Sequence, residues 1–153
     1  MKRNIGICSL ILTILLLLFI WGNSMQNASA STEISTGVLH QVESAAENTA
    51  PDSSFTLTDP ILRKLGHFAE FGALGITLTL SLALLRKSRR GIYPLALYLG
   101  LMTSVIDETI QYFADGRGPR VTDVVLDHAG FCVGLVLTAL ILHIFFKEKT
   151  SKH

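Results

Sequence analysis

Cysteine is scarce and never clustered. Cys8 and Cys132 each lie inside an apolar run, and neither belongs to a CxxC or Cys/His spacing. No disulfide framework or structural zinc site is therefore read, and both thiols count as small hydrophobes. Bulk charge of one sign is also missing. Thirteen Lys and Arg against twelve Asp and Glu leave a net +1, so no basic field points to nucleic acid as a partner. Nor does the chain carry a GxSxG elbow, a P-loop or an HExxH helix. No metal centre is assigned on this basis, and the cofactor is left unknown.

What the chain does have is apolar length. At 153 residues and 49% hydrophobic, with a mean hydropathy of +0.46, it is too apolar for an ordinary soluble domain. Four runs stand out, Ile5–Trp21, Leu65–Leu85, Gly91–Phe113 and Val124–Phe146. Each approaches the ~20 residues that cross a ~30 Å hydrocarbon core. The expected fold is all-α, a small four-helix transmembrane bundle. Lys2 and Arg3 precede the first run. Arg86, Lys87, Arg89 and Arg90 join the second to the third, and Lys147, Lys149 and Lys152 follow the fourth. By the positive-inside rule these ends face the cytoplasm, which puts both termini inside. The implied location is a cell membrane, crossed several times.

Residues 1–21 then form an N-terminal anchor, 22–59 an extracytoplasmic loop, 60–146 a three-helix membrane core and 147–153 a cytoplasmic tail. The loop has no Lys or Arg at all. Ile34, Val38 and Val42 recur in it every four residues, the spacing of a short amphipathic helix on the outer surface. Met1–Ala30 also fits a secretory signal ending in Ala28-Ser29-Ala30. Its apolar centre is long for that role, and Trp21 reads as an interfacial anchor, so a retained helix is expected. Asp59-Pro60 reads as an N-cap followed by proline at the first helical position. Thr122 or Asp123 is the expected cap of the last helix.

Positions three, four and seven apart share a helix face. Arg63, His67 and Glu70 make one stripe, Ser104, Asp107 or Glu108, Gln111 and Asp115 a second, and Asp123, Asp127, Gly130 and Gly134, with Thr138 beyond, a third. Depth agrees, since Glu70 lies ~15 Å along its helix from Pro60 and Glu108 ~21 Å from Pro94. Carboxylates at that depth cost a few kcal/mol each on insertion scales, so the stripes should face one another and not lipid. Gly130-xxx-Gly134 and Ala69-xxx-Ala73, with Gly72 and Gly75, offer the close backbone approach this needs.

Three readings follow from this cluster. It could be an ion-pair network that only holds helices together. It could be an outward-opening cavity in which Arg63, Gln111, Arg117, Arg120, Asp107, Asp123 and Asp127 receive a polar head group, with the arginines as phosphate or carboxylate forks. Or His67, Glu70 and Glu108 could act as an acid–base set in hydrolysis or transfer on a lipid head group. His67 with Glu70, Glu108 and Asp127 also offers metal-ligand chemistry, but without a diagnostic spacing. The expected partners are the bilayer, a lipid head group or envelope precursor, and a second copy of the chain.

Taken together, Arg63-Lys64-x-x-His67-x-x-Glu70, Asp107-Glu108-x-x-Gln111, Gly116-Arg117 and Asp123-x-x-x-Asp127-x-x-Gly130-x-x-x-Gly134 resemble the VanZ-like family, from about Asn23 to Phe146. The family often has Asn where this chain has Asp127. The resemblance implies a four-span bacterial membrane protein, in a family whose founding member lowers susceptibility to the glycopeptide teicoplanin.

Overall fold

The computed structural model describes residues 2–26, 32–33, 35–41, 44, 58–86, 91–116 and 118–150, without the side chains of Asp59 and of residues 145–150. Among the described residues the long helices are α1 (Lys2–Ser24), α2 (Asp59–Leu85), α3 (Ile92–Tyr112) and α4 (Val121–Thr150). A further helical stretch occupies residues 35–41, and no strand occurs among the described residues. Val38 lies in that stretch, while Ile34 and Val42 fall outside the described residues.

Helix ends depart from expectation by one to three residues. Thr58, in extended backbone, precedes α2, and Asp59 and Pro60 occupy its first positions. Proline is tolerated there because its missing N–H would have had no partner within the helix anyway. Helix α4 starts at Val121, so Thr122 and Asp123 lie inside its first turn and not ahead of it. A carboxylate at Asp123 still complements the positive end of the helix dipole. Helix α1 continues to Ser24, which moves Asn23 and Ser24 from the expected loop into a helix. Trp21 packs against the core cluster.

The register is set by glycines. A Cβ on Gly130 would fall on the Phe68 carbonyl, one on Gly134 on the Gly72 carbonyl, and one on Gly75 on the Phe131 carbonyl. As residue numbers rise together from Phe68–Gly130 to Gly72–Gly134, α2 and α4 run parallel with their backbones touching. The Ala69-xxx-Ala73 pair does not share this seam equally, because Ala69 is exposed. Helix α3 runs antiparallel to α4, with Gly100 against the Phe131 ring. Helix α1 runs antiparallel to α2, with Gly6 against Leu84 and Leu85 and the Ser9 hydroxyl donating to the Thr77 carbonyl.

Polarity is partitioned inside out. Ile5, Ile11, Leu12, Leu15, Leu18 and Phe19 of α1 are exposed, as are Val133, Val136, Leu137, Leu140, Ile141 and Ile144 of α4. The interior holds Ile20, Phe71, Leu74 and Phe131, but also Ser9, Thr13, Ser24, Thr79, Ser104, Asp107, Glu108, Gln111, Asp127 and Thr138. Such an apolar outer surface is untenable in water and natural in lipid. Among the described residues, three helices are long and apolar enough to cross a membrane, Lys2–Ser24, Pro60–Leu85 and Val121–Ile144. The chain is thus a membrane protein. Helix α3 is not among the three, and the acidic pair Asp107-Glu108, which it turns into the protein interior, counts against its hydropathy.

Substituting Gly134→Val should force α2 and α4 apart and cost ~1–3 kcal/mol, as overpacking does. Gly22→Ala, where an added Cβ meets nothing within 4 Å, should leave stability unchanged or slightly raised. Thermal unfolding in detergent micelles checks both.

Candidate functional site

The alternation of helix directions gathers one end of each helix. The C-terminal ends of α1 and α3 meet the N-terminal turns of α2 and α4, and the polar residues concentrate there. Asp107 of α3 lies at the centre, fully buried. Ser24 Oγ donates to its Oδ1 at 2.6 Å, and Gln111 Nε2, one turn along the same helix, donates to its Oδ2 at 2.9 Å. These bonds fix the carboxylate in one orientation.

His67 of α2 stands between two acids. Its Nδ1 is 3.7 Å from Asp107 Oδ2 and 3.8 Å from Asp127 Oδ1 of α4. One donor atom from each of the three residues lies within 4.8 Å of the other two. Asp127 is 1% exposed, and neither of its oxygens has a hydrogen-bond partner. Asp107, Glu108, Asp123 and Glu70 are all near enough to act on it electrostatically.

The remaining carboxylates face different walls. Glu70 Oε1 accepts from Asn23 Nδ2 at 3.2 Å, tying α2 to the end of α1. Glu108 Oε2 accepts from the Arg120 backbone N–H at 2.9 Å, which pins the connection between α3 and α4. Gly116 turns that connection in the left-handed region, at φ 77°, where a side chain would be strained. Asp123 pairs with Lys64 at 3.5 Å on the outer edge. Both partners are partly exposed, so the pair contributes little to stability.

Two hollows flank His67. One of about 280 Å³ is lined by Arg63, Lys64, His67, Glu108, Gln111, Arg120, Asp123 and Asp127, with Pro60, Gly116, Gly118 and Leu126. A second of about 510 Å³ lies toward α1, lined by Asn23, Gln26, Ser35, Val38 and Glu70 among others, and shares Arg63 and His67 with the first. No serine, threonine or cysteine lines the first hollow among the described residues. Ser104 is buried with its hydroxyl on the Gly100 carbonyl.

A family model described as VanZ/LLP1 matches residues 9–143. The chain belongs to the VanZ/LLP1 family. No curated protein and no solved structure matches it significantly. The family match opens at Ser9, inside α1, well before the Asn23 at which the sequence resemblance begins. It therefore takes in the helix that supplies Asn23 and Ser24.

Of the residues singled out in the sequence, Arg63, His67, Glu108, Gln111, Arg120, Asp123 and Asp127 line one hollow. Asp107 backs it through His67, Glu70 faces the second hollow, and Arg117 falls outside the described residues. Sequence reasoning set His67 with Glu70 and Glu108 for acid–base chemistry and added Asp127 for metal ligation; the structure sets it between Asp107 and Asp127. It also missed Asn23 and Ser24. Their signal was available in α1, where the buried Gly6, Ser9, Thr13, Ile20 and Ser24 recur at helical spacing on one face.

Replacing Ser24 by Ala should leave buried Asp107 short of one charge-assisted bond and cost ~1–3 kcal/mol. Denaturation in micelles would show it, and equal stability of the variant would mean that α1 is not held at this point.

Proposed function

We propose that this VanZ/LLP1-family chain crosses the bacterial cytoplasmic membrane four times with both termini inside. On this reading it acts at the outer leaflet, where the hollow between α2, α3 and α4 receives the phosphate-bearing or zwitterionic head group of an envelope lipid or precursor. The physiological consequence is a change in envelope, and specifically teicoplanin, susceptibility. Helix α3 is long enough for the fourth crossing, at ~31 Å for its 21 residues, and its acids are shielded from lipid by α2 and α4.

The observation that carries this reading is the composition of the hollow. Arg63, Lys64 and Arg120 contribute to its wall, whereas His67 and Asp127 reach into it from a buried acidic floor. Cations around an acidic floor suit an anionic phosphate near the rim and a cationic or hydroxyl-bearing portion deeper in. Orientation draws support from the sequence: nine cations lie at the ends opposite the hollow, while residues 22–59 carry none.

A second reading, a hydrolase or transferase acting on the same head group, draws on one feature, the placement of His67 against two carboxylates at the wall of the hollow. It requires turnover that His67→Ala abolishes while the protein still accumulates in membranes.

The head-group reading is tested with full-length protein in nanodiscs, presented with phosphatidylglycerol and with a polyprenyl phosphate. The double variant R63A/R120A should retain either lipid at least ~10-fold less well, the loss expected for removing charge-assisted bonds. A cell lacking the gene should shift in teicoplanin susceptibility and be restored by wild type but not by the double variant. Undiminished lipid retention by R63A/R120A would overturn the proposal.

A further inference from the structure

We infer that His67, Asp107 and Asp127 form a binding site for one divalent transition-metal ion, of the Zn²⁺ or Mn²⁺ class, at the floor of the hollow. The inference does not depend on the head-group reading, because it stands on the geometry of three side chains from three helices.

The spacing comes first. His67 Nδ1 lies 3.7 Å from Asp107 Oδ2 and 3.8 Å from Asp127 Oδ1. Both separations exceed the ~2.7–3.2 Å of an N–H···O hydrogen bond. Atoms that ligate a common ion at ~2.1 Å, with angles between tetrahedral and trigonal, stand ~3.4–3.6 Å apart. The imidazole nitrogen is thus too far from either acid to bond it well and close to the right distance to share an ion with both.

Asp127 supplies an independent observation. It is 1% exposed, with both oxygens unpartnered. Among the described residues no Lys or Arg pairs with it, and its neighbours Asp107, Glu108, Asp123 and Glu70 are acids. A carboxylate buried in that company is costly unless a cation compensates it. A doubly charged ion does so, and His67 as a neutral ligand then needs no proton at Nδ1.

Support behind the ligands is also present. Ser24 Oγ and Gln111 Nε2 hold Asp107 from both sides, as second-shell donors orient metal carboxylates. His67 and Asp127 border the open hollow, so water or a phosphate oxygen can complete the coordination. One imidazole with two carboxylates favours Zn²⁺, Mn²⁺ or Fe²⁺ over the all-oxygen shells preferred by Ca²⁺ and Mg²⁺.

The test uses full-length protein purified in detergent, stripped with a chelator and titrated with Zn²⁺ and Mn²⁺, with Mg²⁺ and Ca²⁺ as comparisons. Wild type should take up one Zn²⁺ or Mn²⁺ per chain. His67→Ala and Asp127→Ala should each weaken uptake by more than the ~10–100-fold typical of second-shell changes. His143→Ala, which alters an exposed histidine distant in sequence from the site, should not. Co²⁺ bound to wild type should give the visible absorption of an ordered nitrogen–oxygen site, a readout that needs no variant to fold. Absence of one-to-one uptake by wild type, or equal uptake by His67→Ala and Asp127→Ala, would overturn the inference. Lipid retention by R63A/R120A is scored separately, so failure of head-group binding and failure of metal binding are told apart.

Discussion

The glycine seam between α2 and α4 is the constraint on which the rest of the structure depends. Gly130 and Gly134 lie on the carbonyls of Phe68 and Gly72, and Gly75 lies on that of Phe131. No side chain intervenes, so the two backbones lock in one register. His67 immediately precedes Phe68, and Asp127 comes one turn before Gly130. Parallel helices pinned at those points must hold His67 and Asp127 level. A bulkier residue anywhere on the seam would separate the helices and the acid–base pair together. The small residues that pack the membrane core therefore also set the distances in the site.

Helices α3 and α1 complete what the seam begins, and they do so in different ways. Helix α3 comes back antiparallel and inserts Asp107 beside His67 while its neighbour Glu108 turns to the Arg120 amide. Adjacent residues on a helix are ~100° apart, so one helix end can serve the cluster and anchor the following loop. Helix α1 supplies hydroxyl and amide donors, Ser24 to Asp107 and Asn23 to Glu70, and presents aliphatic side chains outward. In lipid the hydrophobic effect gives little drive for helix association, which makes interhelical bonds and close packing the available glue.

Much of this was legible in the sequence because membrane burial is demanding. Charged residues at depth have to face inward, so the Arg63–His67–Glu70, Asp107/Glu108–Gln111 and Asp123–Asp127 stripes identified the inner faces directly. Helical spacing could not decide between Asp107 and Glu108, because both are buried and only the neighbouring wall distinguishes them. The same limit explains why His67 was set against Glu70 and Glu108. Residues sharing a face or a depth need not share a contact, and the 3.7 and 3.8 Å neighbours of His67 follow from the seam register, which no single stripe contains. Ser24 and Asn23 escaped because α1 was ended at Trp21, on hydropathy. Polar residues that finish a helix inside a protein look like the start of a loop when apolar length alone defines the span.

A purely adhesive role for the cluster accounts for only part of it. Glue should leave its members satisfied, and Asp107 with two donors and Glu108 with the Arg120 amide meet that standard, while Glu70 meets it on the one oxygen that Asn23 reaches and not on the other. Asp127 does not. Burying a carboxyl group without a hydrogen bond costs ~1–3 kcal/mol even when neutral, and more when charged. An apolar residue of similar size at this position would hold α2 and α4 together at least as well, since replacing buried ionic groups by packed apolar ones is often neutral or stabilising. Adhesion thus explains Asp107 and Glu108, explains Glu70 in part, and leaves Asp127, with neither oxygen bonded, as a cost. Asp127 and His67 both border the hollow, and that cost is what a site reserved for a cationic occupant would carry.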